Sequence, residues 1–344
     1  MCPTMSLERK AMDWDRYLRY GILVLVVFAG GLLAACGDDD EDTGEGTPTA
    51  SQAPTTTEAA AGTEYPLTLT DMLGQEVTIP EAPAAVAALS PTTVEFVYAL
   101  GGTSLTRSSS VTYPEEAQGA VDIGPSYQPS LELIAAQGPD LIVADSMLQP
   151  QLAGDLAALG VPVLYVGVAT WDDIATGLGL VGKALDMSAA AEGVVAGLDS
   201  VYVALAHQLP ALTPKLLIVN GTPDDFYAAK PESYAGDLAA RLGAANVAEG
   251  APDVGRFPGY TKLSLESIVA AEPDVILAIT AGPPGGPTIT DSLSSDPGWA
   301  GVSAVKNGRV TEISAEVYLQ APGPRAGQAL EELAALLYPE TFGP

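Results

Sequence analysis

Ser130-Leu131-Glu132-Leu133-Ile134-Ala135-Ala136-Gln137-Gly138-Pro139-Asp140-Leu141-Ile142-Val143-Ala144 is answered later in the chain by Ser264-Leu265-Glu266-Ser267-Ile268-Val269-Ala270-Ala271-Glu272-Pro273-Asp274-Val275-Ile276-Leu277-Ala278. At one fixed offset the two stretches agree at Ser, Leu, Glu, Ile, Ala, Pro, Asp, Ile and Ala. Each reads as a short helix, a proline stop and a buried strand, because proline cannot continue a helix and the branched apolar run after Pro-Asp suits a strand covered on both faces. An internal duplication of this kind predicts an α/β protein of two similar lobes with mainly parallel sheets. A ligand cleft is expected between the lobes.

Outward from the first copy, Val86-Ala87-Ala88-Leu89 predicts a strand, and Val94, Phe96, Val97 and Leu100 a helix stopped by Gly101-Gly102. Gln151 to Leu159 predicts a helix and Val163-Leu164-Tyr165-Val166 another strand, which is the alternation of a parallel sheet. Ser188 is the expected N-cap of a helix reaching His207, with Val194, Leu198, Val201 and Leu205 on one stripe. At 1.5 Å per residue it would span roughly 30 Å, a single long helix joining the lobes. Lys215-Leu216-Leu217-Ile218-Val219 starts a second α/β series that takes in the second copy and Val310-Thr311-Glu312-Ile313.

Arg9, Lys10, Arg16 and Arg19 precede an apolar run from Gly21 to Ala35. That run suits a signal-peptide core better than a membrane span, which needs about 20 apolar residues. An uncleaved anchor helix is the alternative; the acids from Asp38 to Asp42 follow at once and weigh against it. Either way most of the chain lies outside the cytoplasm. Cys2 and Cys36 are the only cysteines, so no disulfide is expected in the exported domain. Gly37 to Thr63 is a Thr, Ala, Gly, Pro and acid stretch that cannot offset its own ordering entropy, and it reads as a flexible tether. The expected organisation is signal peptide 1–35, tether 36–64, first lobe 65–187, linking helix 188–209 and second lobe 210–344.

The formal net charge is −29, most of it outside the tether, whose acids number only eight. A surface this acidic excludes a phosphate-backbone interface, so no nucleic-acid partner is expected. His207 is the only histidine, which removes histidine-built zinc sites and any Ser-His-Asp arrangement. Gly282-Pro283-Pro284-Gly285-Gly286-Pro287 lacks the amide donors and the closing Lys-Ser or Lys-Thr of a phosphate loop. No nucleophile or acid-base pair stands out, and the chain is read as a non-enzyme without a cofactor.

A long helix between two α/β lobes resembles the ABC-transporter substrate-binding proteins of the iron-siderophore and cobalamin type. The likeness extends from Thr70 to Pro339 and includes Asp71 to Pro80, both repeat copies and Trp299 to Val310. Leu33-Ala34-Ala35-Cys36 resembles the lipobox of bacterial lipoproteins, which implies lipid on Cys36 and a membrane-anchored extracytoplasmic protein. The resemblance further implies a monomer that captures a metal-chelate small molecule, such as a ferric siderophore or corrinoid, and delivers it to an ABC permease dimer. In that family a glutamate on each lobe meets permease arginines, which assigns Glu132 and Glu266 to docking. The other reading of the two acids is favourable placement at a helix start, worth about 0.3 to 1 kcal/mol. A ligand-sensing or scaffolding lipoprotein without a transporter is the alternative function.

Loop aromatics and an occasional arginine hold the ligand in that family by stacking and charge-assisted hydrogen bonds. Tyr127, Tyr260, Arg256 and Phe257, in the loops leading to the two glutamates, are the matching positions, with Tyr113 and Tyr318 beside them. Trp171, Phe226, Tyr227 and Arg325 are weaker candidates, and for any one aromatic a packing role competes. Beyond the tether the arginines are Arg107, Arg241, Arg256, Arg309 and Arg325. So few favour a hydroxamate chelate or corrinoid over a highly anionic tricatecholate, with haem open through a tyrosine.

Overall fold

The computed structural model describes residues 62–255, 258–282 and 285–343. The signal segment, Cys36, Arg256 and Phe257 lie outside the described residues. The described chain opens on an antiparallel hairpin of β1 (Leu67–Thr70) and β2 (Glu76–Ile79). The Asp71 carboxylate closes its turn by accepting from the amides of Leu73 and Gln75 at 2.9 Å. The first lobe follows as β3 (Val86–Ala88), α1 (Pro91–Ala99), β4 (Thr106–Arg107), β5 (Val121–Asp122), α2 (Leu131–Ala136), β6 (Leu141–Asp145), α3 (Ala153–Ala157) and β7 (Val163–Val166). Its sheet is parallel in the order β3-β6-β7, with β4 and β5 a short parallel pair alongside. The helix expected from Gln151 is shorter and begins as a 3₁₀ turn at Pro150–Leu152.

Helices α4 (Trp171–Ala184) and α5 (Ser188–Ala206) lead into the second lobe. It runs β8 (Lys215–Gly221), β9 (Phe226–Ala229), α6 (Tyr234–Arg241), β10 (Ala245–Asn246), β11 (Tyr260–Thr261), α7 (Leu265–Ala271), β12 (Val275–Thr280), α8 (Ile289–Ser295), α9 (Ser303–Lys306) and β13 (Val310–Glu312). The chain closes on α10 (Ala326–Leu337) and α11 (Pro339–Phe342). The strand order is β11-β9-β8-β12-β13, with β10 beside the start of β8. This sheet is mixed: β10, β12 and β13 run parallel to β8, while β9 is antiparallel to it and β11 to β9. Thr222 and Asp225 bond each other's backbone across the β8–β9 connection, a turn far too short for a parallel crossover.

The duplicated stretches fold alike, down to their hydrogen bonds. Ser130 Oγ accepts from Leu133 N at 3.3 Å to start α2, and Ser264 Oγ accepts from Ser267 N at 3.2 Å to start α7. Ile134 and Ile268 are the buried residues of these helices. Gly138 (φ 62°) and Glu272 (φ 52°) end them in the left-handed region. The Asp140 carboxylate then accepts from Ala84 N and Ala85 N, and the Asp274 carboxylate from Lys215 N at 2.9 Å, each clipping its strand to the parallel neighbour. β6 and β12 emerge almost wholly buried, each paired on both sides within its sheet.

The linking helix predicted from Ser188 is α5, with Met187 rather than Ser188 at the cap position and Ser188 in its first turn. Ala191, Leu198 and Leu205 form its buried stripe. By length and mean hydropathy α5 could cross a membrane, yet this stripe packs on α4 and α10. The approach to α4 is close, since a Cβ at Gly182 would come within 2.7 Å of Ala191 Cβ. One continuous apolar core includes Phe96 of α1, Leu178 of α4, Leu198 of α5, Ile218 of β8 and Leu333 of α10, so both lobes share it.

Candidate functional site

A cavity of about 1020 Å³ opens between the lobes. Its first wall is built from the start of α1 (Pro91, Thr92), the loop after β5 (Ser126, Tyr127) and the carboxyl end of β6 (Asp145). The facing wall comes from the end of β8 (Asn220), from β9 (Tyr227), from the start of α6 (Tyr234) and from Tyr260 and Tyr318. The carboxyl ends of central parallel strands thus meet across the cavity, the position where open α/β sheets hold ligands.

A buried polar clamp holds the first wall. Gln149 Nε2 donates to Ser126 O at 2.7 Å and to Leu89 O at 3.2 Å, while its Oε1 accepts from Asp145 N at 2.8 Å. Asp145 Oδ1 accepts from Met147 N and Leu148 N, and Ser90 Oγ donates to Oδ2 at 2.9 Å. Burial pushes the Asp145 carboxyl above the usual carboxylate range in spite of these donors. Three wall residues carry buried side-chain atoms without a hydrogen-bond partner among the described residues: Ser126 Oγ, Asn220 Oδ1 and Tyr234 Oη.

Of the residues predicted to bind ligand, Tyr127, Tyr260 and Tyr318 reach the cavity. Tyr127 is 68% exposed at its mouth. Tyr260 is half-buried, with its hydroxyl pKa raised by burial. Tyr318 lines the wall, but its hydroxyl is already engaged by Ala329 O and Glu332 Oε2, both at 2.9 Å. Tyr227, a weaker candidate, also lines the cavity.

Other candidates serve the junction between lobes or the core. Tyr113 is outside the cavity wall; its ring covers the Arg325 guanidinium at 4.5 Å. Arg325 binds Glu95 of α1 through Nε at 3.0 Å and Nη2 at 2.5 Å, and Glu316 at 2.8 Å. Trp171 N donates to Asp237 Oδ2 at 2.8 Å, and Arg241 joins Asp172 to Asp237 beside the Trp171 ring. Phe226 packs on Trp299 in the second lobe. Glu132 and Glu266 stand exposed on the first turns of α2 and α7. Among the described residues no group of three or more His, Cys, Asp and Glu is placed to hold a metal ion.

Asp145, Asn220, Ser126 and Tyr234 are wall residues that the sequence reading did not name. Asp145 and Asn220 carried a usable signal, since each follows directly on a buried strand run, Leu141–Ala144 and Leu216–Val219. Ser126 shares the loop that singled out Tyr127, and Tyr234 carried no such signal.

Comparison with known proteins agrees with this geometry. The family model described as periplasmic binding protein matches residues 86–317. An uncharacterized ABC transporter substrate-binding lipoprotein of Bacillus subtilis, YvrC, is 26% identical over 336 residues, covering 94% of this chain and 98% of that protein. A vitamin B12-binding protein of Yersinia pestis is 39% identical over 106 residues, 30% of this chain and 38% of its own. Among solved structures, the periplasmic heme-binding protein RhuT from Roseiflexus superposes with a TM-score of 0.65 at 26% identity, over 75% of this chain and 98% of RhuT.

Proposed function

The chain belongs to the periplasmic binding protein family, and from that premise we propose that it captures a metal chelate outside the cytoplasm and hands it to an ABC permease. Family membership makes it a transport protein that binds its substrate rather than a catalyst. The observation that carries the reading is the interlobe cavity of about 1020 Å³ at the strand ends, large enough for a bulky chelate. Relatives that bind haem and vitamin B12 support the same class of cargo. Tyr127, Tyr260 and Tyr227 are the cavity aromatics suited to stack on it. Arg256 and Phe257, outside the described residues, stay in the proposal on their place in the loop before Tyr260.

Glu132 and Glu266 are proposed to dock on the permease. Support comes from their equivalent places in the duplicated helices and their exposure, which leaves both carboxylates open to a partner. Lipid on Cys36, ahead of the acidic tether, is proposed to hold the protein at the membrane. The test is the double variant Glu132→Ala/Glu266→Ala, with uptake of a radiolabelled chelate measured in cells beside binding by the purified protein. Uptake should collapse while affinity is unchanged and stability falls by no more than about 1 kcal/mol per site, the size of a helix-dipole contribution. Wild-type uptake would leave the acids as ordinary helix-start residues.

A further inference from the structure

The acidic or basic side chains among the described residues of the cavity wall are two carboxyls, Asp145, whose oxygens are held in the clamp, and Glu232. Glu232 lies 3.5 Å from Lys230 Nζ, but that ammonium is drawn to Asp253 at 2.8 Å and is not part of the wall. Two of the described arginines are consumed at the lobe junction, Arg325 by Glu95 and Glu316 and Arg241 by Asp172 and Asp237. Among the described residues, therefore, no guanidinium fork is free to receive an anionic chelate; Arg256, between the wall residues Gly255 and Pro258, lies outside them.

Uncharged polar groups are present instead, and they await a partner. Ser126 is 7% exposed and Tyr234 5% exposed, and neither hydroxyl oxygen has a hydrogen bond. The Gly323 amide faces Tyr234 Oη, and the phenol proton has no acceptor among the described residues. Asn220 Oδ1 is likewise buried and unpartnered. Ser126 belongs to one lobe and Asn220 and Tyr234 to the other, so one ligand bridging the cavity would satisfy all three. Buried polar groups are ordinarily hydrogen-bonded, and three exceptions around one cavity mark contacts that a ligand completes. A hydroxyl both donates and accepts, and a carboxamide pairs best with another amide.

Resting on the binding function proposed above, we infer that the cargo is an uncharged or cationic metal chelate whose periphery carries amide or hydroxyl groups, held by Ser126, Asn220 and Tyr234. Haem and polyanionic chelates are discriminated against by charge and by Asn220 Oδ1, an acceptor that a ligand offering only carboxylate or catecholate oxygens would leave unpaired.

The experiment is titration of the full exported domain, followed by tryptophan fluorescence, with cyanocobalamin, ferrichrome and ferrioxamine B against ferric enterobactin, ferric citrate and haemin. At least one of the first three should bind more than about 100-fold tighter than every anion, a gap of about 2.7 kcal/mol. Ser126→Ala, Asn220→Leu and Tyr234→Phe should each weaken that ligand about 3- to 10-fold with the melting temperature of the unliganded protein kept or raised, since each removes an unsatisfied polar atom. Tightest binding of an anion, whether or not Arg256→Ala abolishes it, overturns the inference and leaves the transport reading standing. Unchanged affinity in all three variants also overturns it. Binding of no chelate in either set removes the function on which it rests.

Discussion

Glu95 offers a stability test whose sign is opposite to that of ordinary carboxylates. It sits on α1 at 3% exposure, and its partner Arg325 comes from the far side of the lobe junction. Burial pushes the Glu95 carboxyl up to about 7 against the pull of the Arg325 guanidinium, and the charge of Glu316 adds to the rise. In the unfolded chain the same group titrates near 4.5. Between these values the folded protein holds a proton that the unfolded chain has released, so this group's contribution is fully present below pH 4.5 and is lost as pH rises through about 7. At 1.36 kcal/mol per pH unit the loss amounts to about 3 kcal/mol. Glu95→Gln removes the titration while keeping the shape of the side chain.

The assay is urea unfolding of wild type and Glu95→Gln, unliganded, from pH 4.5 to 8.5. Taking the difference between the two proteins cancels the other carboxylates, and that difference should move in favour of the variant by about 3 kcal/mol across the range. In thermal melts this is roughly 6 °C, at about 2 °C per kcal/mol for a domain of this size. A difference that is flat with pH, or one that moves toward wild type, would refute the claim that the Glu95–Arg325 pair is desolvated at the lobe junction.

Other outcomes follow from single positions. Gly177→Ala should destabilise by about 1 to 3 kcal/mol in urea melts, because a Cβ there would overlap the fully buried Phe96 ring; Gly179→Ala, on the same helix with nothing within 4 Å, should be neutral or stabilising. Glu272→Gly should raise stability by up to about 1 kcal/mol, since it places in the second repeat the glycine that the first repeat has at the same left-handed position. Cys36→Ser should release the protein into the extracytoplasmic medium with chelate affinity intact, read by fractionation and fluorescence titration; membrane retention of the processed variant would count against lipid on that residue.

The repeat made the fold legible because its signals are local: a serine cap, a Pro-Asp stop and a branched strand each act within a few residues. The same logic found α5 through its apolar stripe and the strand β8 through its uninterrupted apolar run. The antiparallel course of β9 was less visible, because Phe226-Tyr227-Ala228-Ala229 carries no mark of direction; it is the short turn from Thr222 to Asp225 that forces the reversal. The departure at Ser188 has a similar origin, since a serine near a helix start suits the cap or the first turn alike.

The cleft was less legible than the fold because its chemistry depends on which groups are already taken. Counting arginines showed that they are few, but not which of them are already paired. Arg107 is bound to Asp122, Arg241 to Asp172 and Asp237, Arg309 to the carbonyls of Leu336 and Leu337, and Arg325 to Glu95 and Glu316, leaving Arg256 as the one outside the described residues. Aromatics are open to two readings in the same way: Tyr113 and Trp171 were candidate ligand contacts, and each covers an arginine that joins the lobes. Ser126 and Tyr234 matter for the converse reason, as ordinary polar residues that the fold buries without partners. Partnering across more than 60 residues of chain, as between Asp172 and Arg241, leaves no periodicity in the sequence. The charge of a binding site is therefore a property of the pairings that the fold makes, and a count of charged residues does not contain it.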